Sequence, residues 1–512
     1  MDAGELVVSV ESGRVRGGRS RGIRYWRGIP YAAAPTGAYR FRAPRPPEPW
    51  AGVRDARRFG PVAPQLHRGQ FHGAPRRVPR SEDCLRLDVT VPETRSTSSP
   101  LPVLVWVHGG GFSVGSTREY GGVGRALAAS GDVVVVSVGY RLGALGWLDL
   151  RAYSTPERPI EANLGLQDLV AALRWVRANI AAFGGDTDRV TLIGESAGAA
   201  AVTALLTMPS AQGLVAGAIA QSAPPNAVYP PDVTAAWAHE FVGLLGEIAD
   251  ADVESESTGE AADLLHDSDA MLLARATLAL TLRAPDAYPG ATCLAPVIDG
   301  EVLPERPLDA YRDGRAARVP LLIGTNDREG ALFEGRIDIL PTTKRRIRAV
   351  FAATRKRSRR AIKAQYPGLP ERRPAADFAG DFTFWYPSIK LAERHSRYAP
   401  VFMYRFDAAP RIVTMLGLDA THGLELFPLF GLLGSRRGLA MTALGGRRML
   451  EQLGRRMRAH WIGFAARGAP DEGWPAYDED TRATLVFDAV DRVELDPRAE
   501  RRRAWQEFVP HV

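Results

Sequence analysis

The sequence predicts an α/β protein: a mostly parallel, doubly wound central sheet with helices on both faces and helical cap insertions. Three observations carry that reading. The first is a set of short apolar runs rich in β-branched residues: PVLVWV from Pro102, DVVVVSV from Asp132, RVTLIG from Arg189, VPLLIG from Val319 and PVFMYRF from Pro400. Near-continuous rather than alternating hydrophobicity is what a parallel strand covered on both faces requires. The second is NLGLQDLVAALRWVRANIAAFGG, where Leu166, Leu169, Val170, Leu173, Val176 and Ile180 recur near a 3.6-residue period. This is an amphipathic helix ending at the Gly184–Gly185 pair. The third is their order, strand–helix–strand, which builds right-handed βαβ units.

Composition bounds the rest. The chain has 512 residues, 45% of them hydrophobic and 24% charged, which excludes disordered, collagenous and coiled-coil classes. One domain over residues 1–512 is expected, with helical insertions at about 232–283 and 340–377. The net charge of +7 is small for this length, and only Lys344, Lys356, Lys363 and Lys390 are lysines, so the basic pI reflects Arg used in place of Lys. The run TRKRSRR from Thr354 has no interleaved aromatics and reads as a solvated helix face, not a nucleic-acid contact. Cys84 and Cys293 fit neither a disulfide framework nor a metal-ligand spacing. The start, MDAGELVVSVESGRVRGG, lacks the basic-then-apolar pattern of a secretory signal, and no apolar stretch approaches the ~18–20 residues that span a bilayer. A cytoplasmic protein is expected, without nucleic-acid or membrane partners; a monomer is the first expectation and a homodimer the alternative.

The sharpest motif is GESAG, Gly194 to Gly198, after the strand RVTLI and before the helix-forming AAAVTALL. Strand, tight turn and helix in this order form the nucleophile elbow of an α/β-hydrolase fold. The turn is strained, so residues two before and two after the nucleophile must lack bulk; Gly194 and Gly198 do. Ser196 then presents its hydroxyl at the C-terminal edge of the sheet. Upstream, VHGGGF (Val107 to Phe112) follows another strand. Its glycines free the N–H groups of Gly110 and Gly111 to converge, with that of Ala197, on an oxyanion, where each donor is worth about 3–4 kcal/mol. The loop lacks the Lys-Ser/Thr of a P-loop and the spacing of a dinucleotide fingerprint.

A serine nucleophile needs a base. The chain order Ser, acid, His leaves His239, His266, His395, His422, His460 and His511. His422, in the loop-like DATHGLELFPLFG beside Gly423, is the first candidate, against two in the cap, two in helix-like sequence and one near the terminus. The acid should follow a strand between Ser196 and the histidine. VPLLIGTNDREG supplies Asp327 and Glu329 there, and spacing alone does not choose between them.

These segments resemble the type B carboxylesterase family, which includes bacterial para-nitrobenzyl esterases and cholinesterases. FGGDTDRVTLIGESAG resembles its serine signature, and EDCLRLDV (Glu82 to Val89) its second signature, departing at Arg86. RGIPYA, YRLGALGWL, APVIDG, GTNDREG and WPAYD are similar to further family segments in the same order. The resemblance implies Ser196 as nucleophile, Glu329 as acid, with Arg328 where an Asp is usual, and His422 as base. It implies Gly110, Gly111 and Ala197 as oxyanion donors, with Ser222 and Glu195 as supporting residues. It also implies a buried Glu82–Arg141 ion pair, a His108 that orients the glycine loop, and an unpaired Cys84, since Ala63 stands where secreted relatives have the partner cysteine. The expected activity is serine carboxylesterase action on a small-molecule ester with no metal or cofactor; the alternative is an amidase or carbamate hydrolase with the same triad. A catalytically dead scaffold is disfavoured because every catalytic position is filled. Phe333, Phe384, Trp385 and Phe427 are candidate pocket aromatics, equally readable as core.

Overall fold

The computed structural model describes residues 6–66, 73–75, 77–119, 122–251, 257–335, 339–352 and 354–508. Seven strands run parallel: β1 Leu101–Val107, β2 Val134–Val138, β3 Gly185–Glu195, β4 Gly217–Gln221, β5 Leu321–Asn326, β6 Val401–Phe406 and β7 Ala483–Phe487. All except the start of β3 are buried throughout, because helices cover both faces. Their spatial order is β7-β6-β5-β4-β3-β1-β2, and the register sets Val105 of β1 beside Val136 of β2 and Leu192 of β3. Antiparallel strands extend both edges, among them Ile23–Pro30, Arg86–Pro92 and Arg492–Leu495, giving eleven strands among the described residues. A separate three-stranded sheet joins Val7–Val10, Gly13–Arg16 and Val53–Asp55. The fold is that of the α/β-hydrolases.

Helix α1, Leu164–Asn179, is the amphipathic segment. It tightens into a 3₁₀ turn over Ile180–Phe183 and stops at Gly184, whose φ of 85° only glycine adopts without strain. β3 begins at the next residue, earlier than its apolar run, because Gly185 already pairs with Leu101. α2, Ala197–Leu205, follows β3. Three helices then leave the sheet: α3 Pro231–Ala249, α4 Thr258–Asp267 and α5 Ala270–Ala287, with 252–256 outside the described residues. A second excursion holds α6 Lys344–Ala352, α7 Lys356–Gln365 and α8 Arg372–Gly380. On α7 the Arg355–Arg360 run turns Arg355, Lys356, Arg357 and Arg360 to solvent and Ser358 and Ile362 inward. α9 Tyr386–His395, α10 Arg447–Arg467 and α11 Ala499–Glu507 complete the helices the site depends on. Among the described residues no helix is long and apolar enough to cross a membrane.

The implied Glu82–Arg141 pair does not form. Glu82 binds Arg40 at 2.5 Å, while Arg141 binds Asp168 of α1 at 2.6 Å with both side chains buried. α1 brings Asp168 directly beneath Arg141, and Asp168 accepts from its Nε, Nη2 and backbone N–H. Cys84 is a buried free thiol, and burial pushes its pKa up. Removing one partner of a buried ion pair strands the other, at about 3–5 kcal/mol. Asp168→Asn is therefore expected to lower the unfolding free energy by about that amount in urea titrations, whereas Asp186→Asn, at a part-exposed pair with Arg189, should cost under about 1 kcal/mol.

Candidate active site

Ser196 occupies the turn between β3 and α2 with φ 56° and ψ −125°, a conformation that costs a non-glycine residue about 1–3 kcal/mol. The neighbours leave no room for alternatives. A Cβ on Gly194 would sit 2.6 Å from the Gly198 carbonyl carbon, and one on Gly198 only 2.2 Å from the Val107 carbonyl oxygen. The Ser196 N–H donates to the Gln221 carbonyl at 2.9 Å, which ties the turn to the end of β4. Ser196 is half-buried, at the N-terminus of α2.

The glycine loop after β1 packs onto this turn. A Cβ at Gly109 would meet Glu195 Oε2 at 2.5 Å and Ser196 Cβ at 3.2 Å, so only a bare backbone approaches this closely. Gly110 and Gly111 have φ of 109° and 59°. Behind the loop, His108 stacks on Tyr140 with ring centroids 4.4 Å apart, and the Tyr140 hydroxyl donates to the His108 carbonyl at 2.6 Å. His108 thus braces the loop from beneath.

The Glu329 carboxylate, just past β5, lies with its Oε2 2.6 Å from His422 Nδ1. Its Oε1 accepts from the Ser222 hydroxyl and the Asn326 N–H, both at 2.6 Å. Asp327, the other carboxylate left open by the sequence, turns away to Arg498 and Arg405. The remaining histidines lie elsewhere: His395 bonds the Val319 carbonyl, His460 packs on Trp474, His266 packs on Phe41, and His239 is exposed on α3. His511 lies outside the described residues. His422 Nε2 holds no hydrogen bond among the described residues and lies 3.3 Å from Glu195 Oε1.

Three members of this network are absent from the sequence reading. Glu425 is fully buried; its Oε2 accepts from Asn326 Nδ2 at 2.5 Å and its Oε1 from Gln221 Nε2 at 3.4 Å. Desolvation, reinforced by the Glu195 and Glu329 charges, pushes its pKa up to about 8. Burial disfavours the His422 cation, but Glu195 and Glu329 outweigh burial and raise the His422 pKa to about 9.

Ser196, Ala197, Gly110, Gly111 and His422 line one cavity of about 270 Å³. Its walls are mostly apolar, including Leu273, Leu278 and Leu282 of α5. Phe333 and Phe384 also line it, with ring centroids 5.2 Å and 4.5 Å from the His422 ring. Trp385 and Phe427 are packed in the core instead. Among the described residues no Asp, Glu, Lys or Arg lines the cavity, and no group of three or more His, Cys, Asp and Glu side chains is arranged to hold a metal.

Comparison with known proteins decides the family. A model described as "Carboxylesterase family" matches residues 4–505. The chain belongs to the carboxylesterase family. Like the relatives named for that activity, it is a carboxylic ester hydrolase. It is 37% identical to the para-nitrobenzyl esterase of Bacillus subtilis over 97% of this chain and 98% of that protein. It is 34% identical to the fumonisin B1 esterase of Sphingopyxis macrogoltabida over 93% and 85%. A solved PNB esterase structure superposes with a TM-score of 0.82 at 36% identity, covering 98% of this chain and 99% of that one. A Geobacillus stearothermophilus carboxylesterase also matches, with a TM-score of 0.82 at 34% identity.

An imidazole takes up a proton only in its neutral form, so a reaction in which His422 accepts one speeds up as pH rises through the His422 pKa. Because Glu195 raises the His422 pKa, Glu195→Gln is expected to move the acidic limb of the kcat/KM profile to lower pH. The check is a pH–rate profile of both enzymes on one p-nitrophenyl ester.

Proposed function

We propose that the chain hydrolyses neutral carboxylic esters through an acyl-enzyme on Ser196. The observation that supports this most is the convergence on one apolar cavity of the strained Ser196 turn, the Glu329-bound His422 and the glycine loop. Ser196 Oγ attacks the ester carbonyl carbon and His422 Nε2 takes the hydroxyl proton. Glu329 accepts from Nδ1–H, holds it in place and offsets the imidazolium charge. The N–H groups of Gly110, Gly111 and Ala197 receive the developing oxyanion. As the tetrahedral intermediate collapses, His422 returns the proton to the departing alcohol. Water, deprotonated by His422, then attacks the acyl-serine, and collapse of the second intermediate releases the carboxylic acid and restores the Ser196 hydroxyl. Ser222 and Asn326 fix the carboxylate that fixes the imidazole.

Ser196→Ala should lower kcat on p-nitrophenyl butyrate by about 10⁴–10⁶-fold with the circular dichroism spectrum unchanged; activity near wild type in that variant removes the reading. Among the described residues no Asp, Glu, Lys or Arg lines the cavity, and the His422 imidazole that does is already paired with the Glu329 and Glu195 carboxylates. An anionic acyl group, as in p-nitrophenyl hemisuccinate, is therefore expected to react with kcat/KM about 100-fold below the neutral butyrate, a comparison that steady-state kinetics makes directly.

A further inference from the structure

We infer that Arg328 is a positioning residue for this site: its guanidinium joins the loop that carries Glu329 to the loop that carries His422. This rests on the proposed roles of those two residues. Arg328 is 7% exposed, and its charge is aimed away from the substrate cavity. Its Nη1 donates to Asp419 Oδ2 at 2.8 Å and to the Gly417 carbonyl at 2.9 Å, in the turn just before His422. Its Nε donates to Asp377 Oδ1 of α8 at 2.8 Å.

Backbone contacts run beside the guanidinium. The Arg328 N–H donates to the Ala420 carbonyl at 3.0 Å, and Asn326 Nδ2 donates to the Thr421 carbonyl at 2.7 Å. Residues 326–328 and 417–421 are thus laced side by side, with the acid one residue beyond one edge and the base one residue beyond the other. Asp419 sits at φ 48°, in the left-handed region that Asp adopts more readily than most residues, which turns its carboxylate toward Arg328. Arg373 also reaches Asp419, at 3.1 Å, but from a side chain 65% exposed, where the pair contributes little.

The third arm matters for the other wall of the imidazole. α8 packs against Gly330, where an added Cβ would lie 1.9 Å from the Ala376 carbonyl oxygen. From α8 the chain passes through the π-helical turn Asp381–Trp385, which carries Phe384 onto the His422 ring. One cation therefore links the acid, the base and the helix leading to the ring that packs on the base. A planar guanidinium serves three directions at once, which a lysine ammonium at the end of a flexible stem does not.

The competing reading is that Arg328 only holds α8 in place. Steady-state kinetics, thermal unfolding and the downfield imidazole N–H proton resonance of His422 in Arg328→Met, Arg328→Lys and Asp419→Asn separate the two. Positioning predicts that Arg328→Met, folded at the assay temperature, loses at least about tenfold in kcat while KM stays within about threefold, because small displacements of reacting groups cost rate more than binding. The downfield resonance broadens or disappears, Asp419→Asn loses about threefold or more in kcat, and Arg328→Lys recovers part of the Met variant's loss. A folded Arg328→Met with wild-type kcat and an intact resonance overturns the proposal. If Arg328→Met does not fold, Arg328→Lys and Asp419→Asn decide it, and wild-type kcat in both is the overturning result. Labelling of wild type at Ser196 by a fluorophosphonate keeps the outcomes apart: an unlabelled but active enzyme sinks the acyl-enzyme reading, whereas labelled enzyme with unimpaired Arg328 variants sinks positioning alone.

Discussion

The backbone of Ser196 is the constraint around which the site is built. A serine held at φ 56° is uphill of relaxed backbone, and it stays there because β3 below and α2 beyond are both locked into the core. The turn dictates its surroundings. Gly194 and Gly198 are bare because their Cβ positions are already filled by backbone, and the glycine loop must be bare at Gly109 to pass over Glu195. Glu195 is wholly buried for the same reason: the residue before the serine points down while the serine points out. The arrangement of the charges is therefore a consequence of the turn.

Burying Glu195, Glu329 and Glu425 around one imidazole is unfavourable unless each finds protons or donors. Glu329 obtains two donors and the imidazole. Glu425 has Asn326 and Gln221 as donors, and burial beside the Glu195 and Glu329 charges raises its pKa. Glu195 and Glu329 contribute most to favouring the His422 cation, with Glu425 adding to them. Buried this deeply, the carboxylates act on the imidazole more strongly than the same charges would in water.

Legibility in the sequence follows the range of the constraint. Parallel strands are readable because burial on both faces leaves an unbroken apolar run, and the Ser196 turn is readable because the need for small neighbours acts within five residues. The strands Ile23–Pro30 and Arg86–Pro92 are not: IRYWRGIP and RLDVTVP mix polar and apolar positions, and their strand character comes from the partners they find. Partner choice is the least legible quantity. Arg141 pairs with Asp168 and not Glu82 because of where α1 lands, and Glu329 rather than Asp327 meets His422 because the chain turns into a 3₁₀ helix at Glu329. Of the four candidate aromatics, Phe384 and Trp385 are adjacent in sequence yet only Phe384 lines the cavity; a π-helical turn separates their directions, and no apolar pattern encodes that.

Charge in this site is segregated by depth. Among the described residues no Asp, Glu, Lys or Arg lines the cavity, while the carboxylates lie under the floor against His422 and the Arg328 cation lies behind the loops, where Asp377 and Asp419 neutralise it. The separation has a physical basis. A guanidinium in the cavity would compete with the N–H groups of Gly110 and Gly111 for an oxyanion, and would pair with His422's carboxylates in place of the imidazole. Kept behind the loops, the same charge contributes position without entering the reaction. An Arg-rich sequence can thus surround a cavity whose described lining holds no guanidinium, because Arg141 and Arg328 are committed to carboxylates and carbonyls of the chain itself.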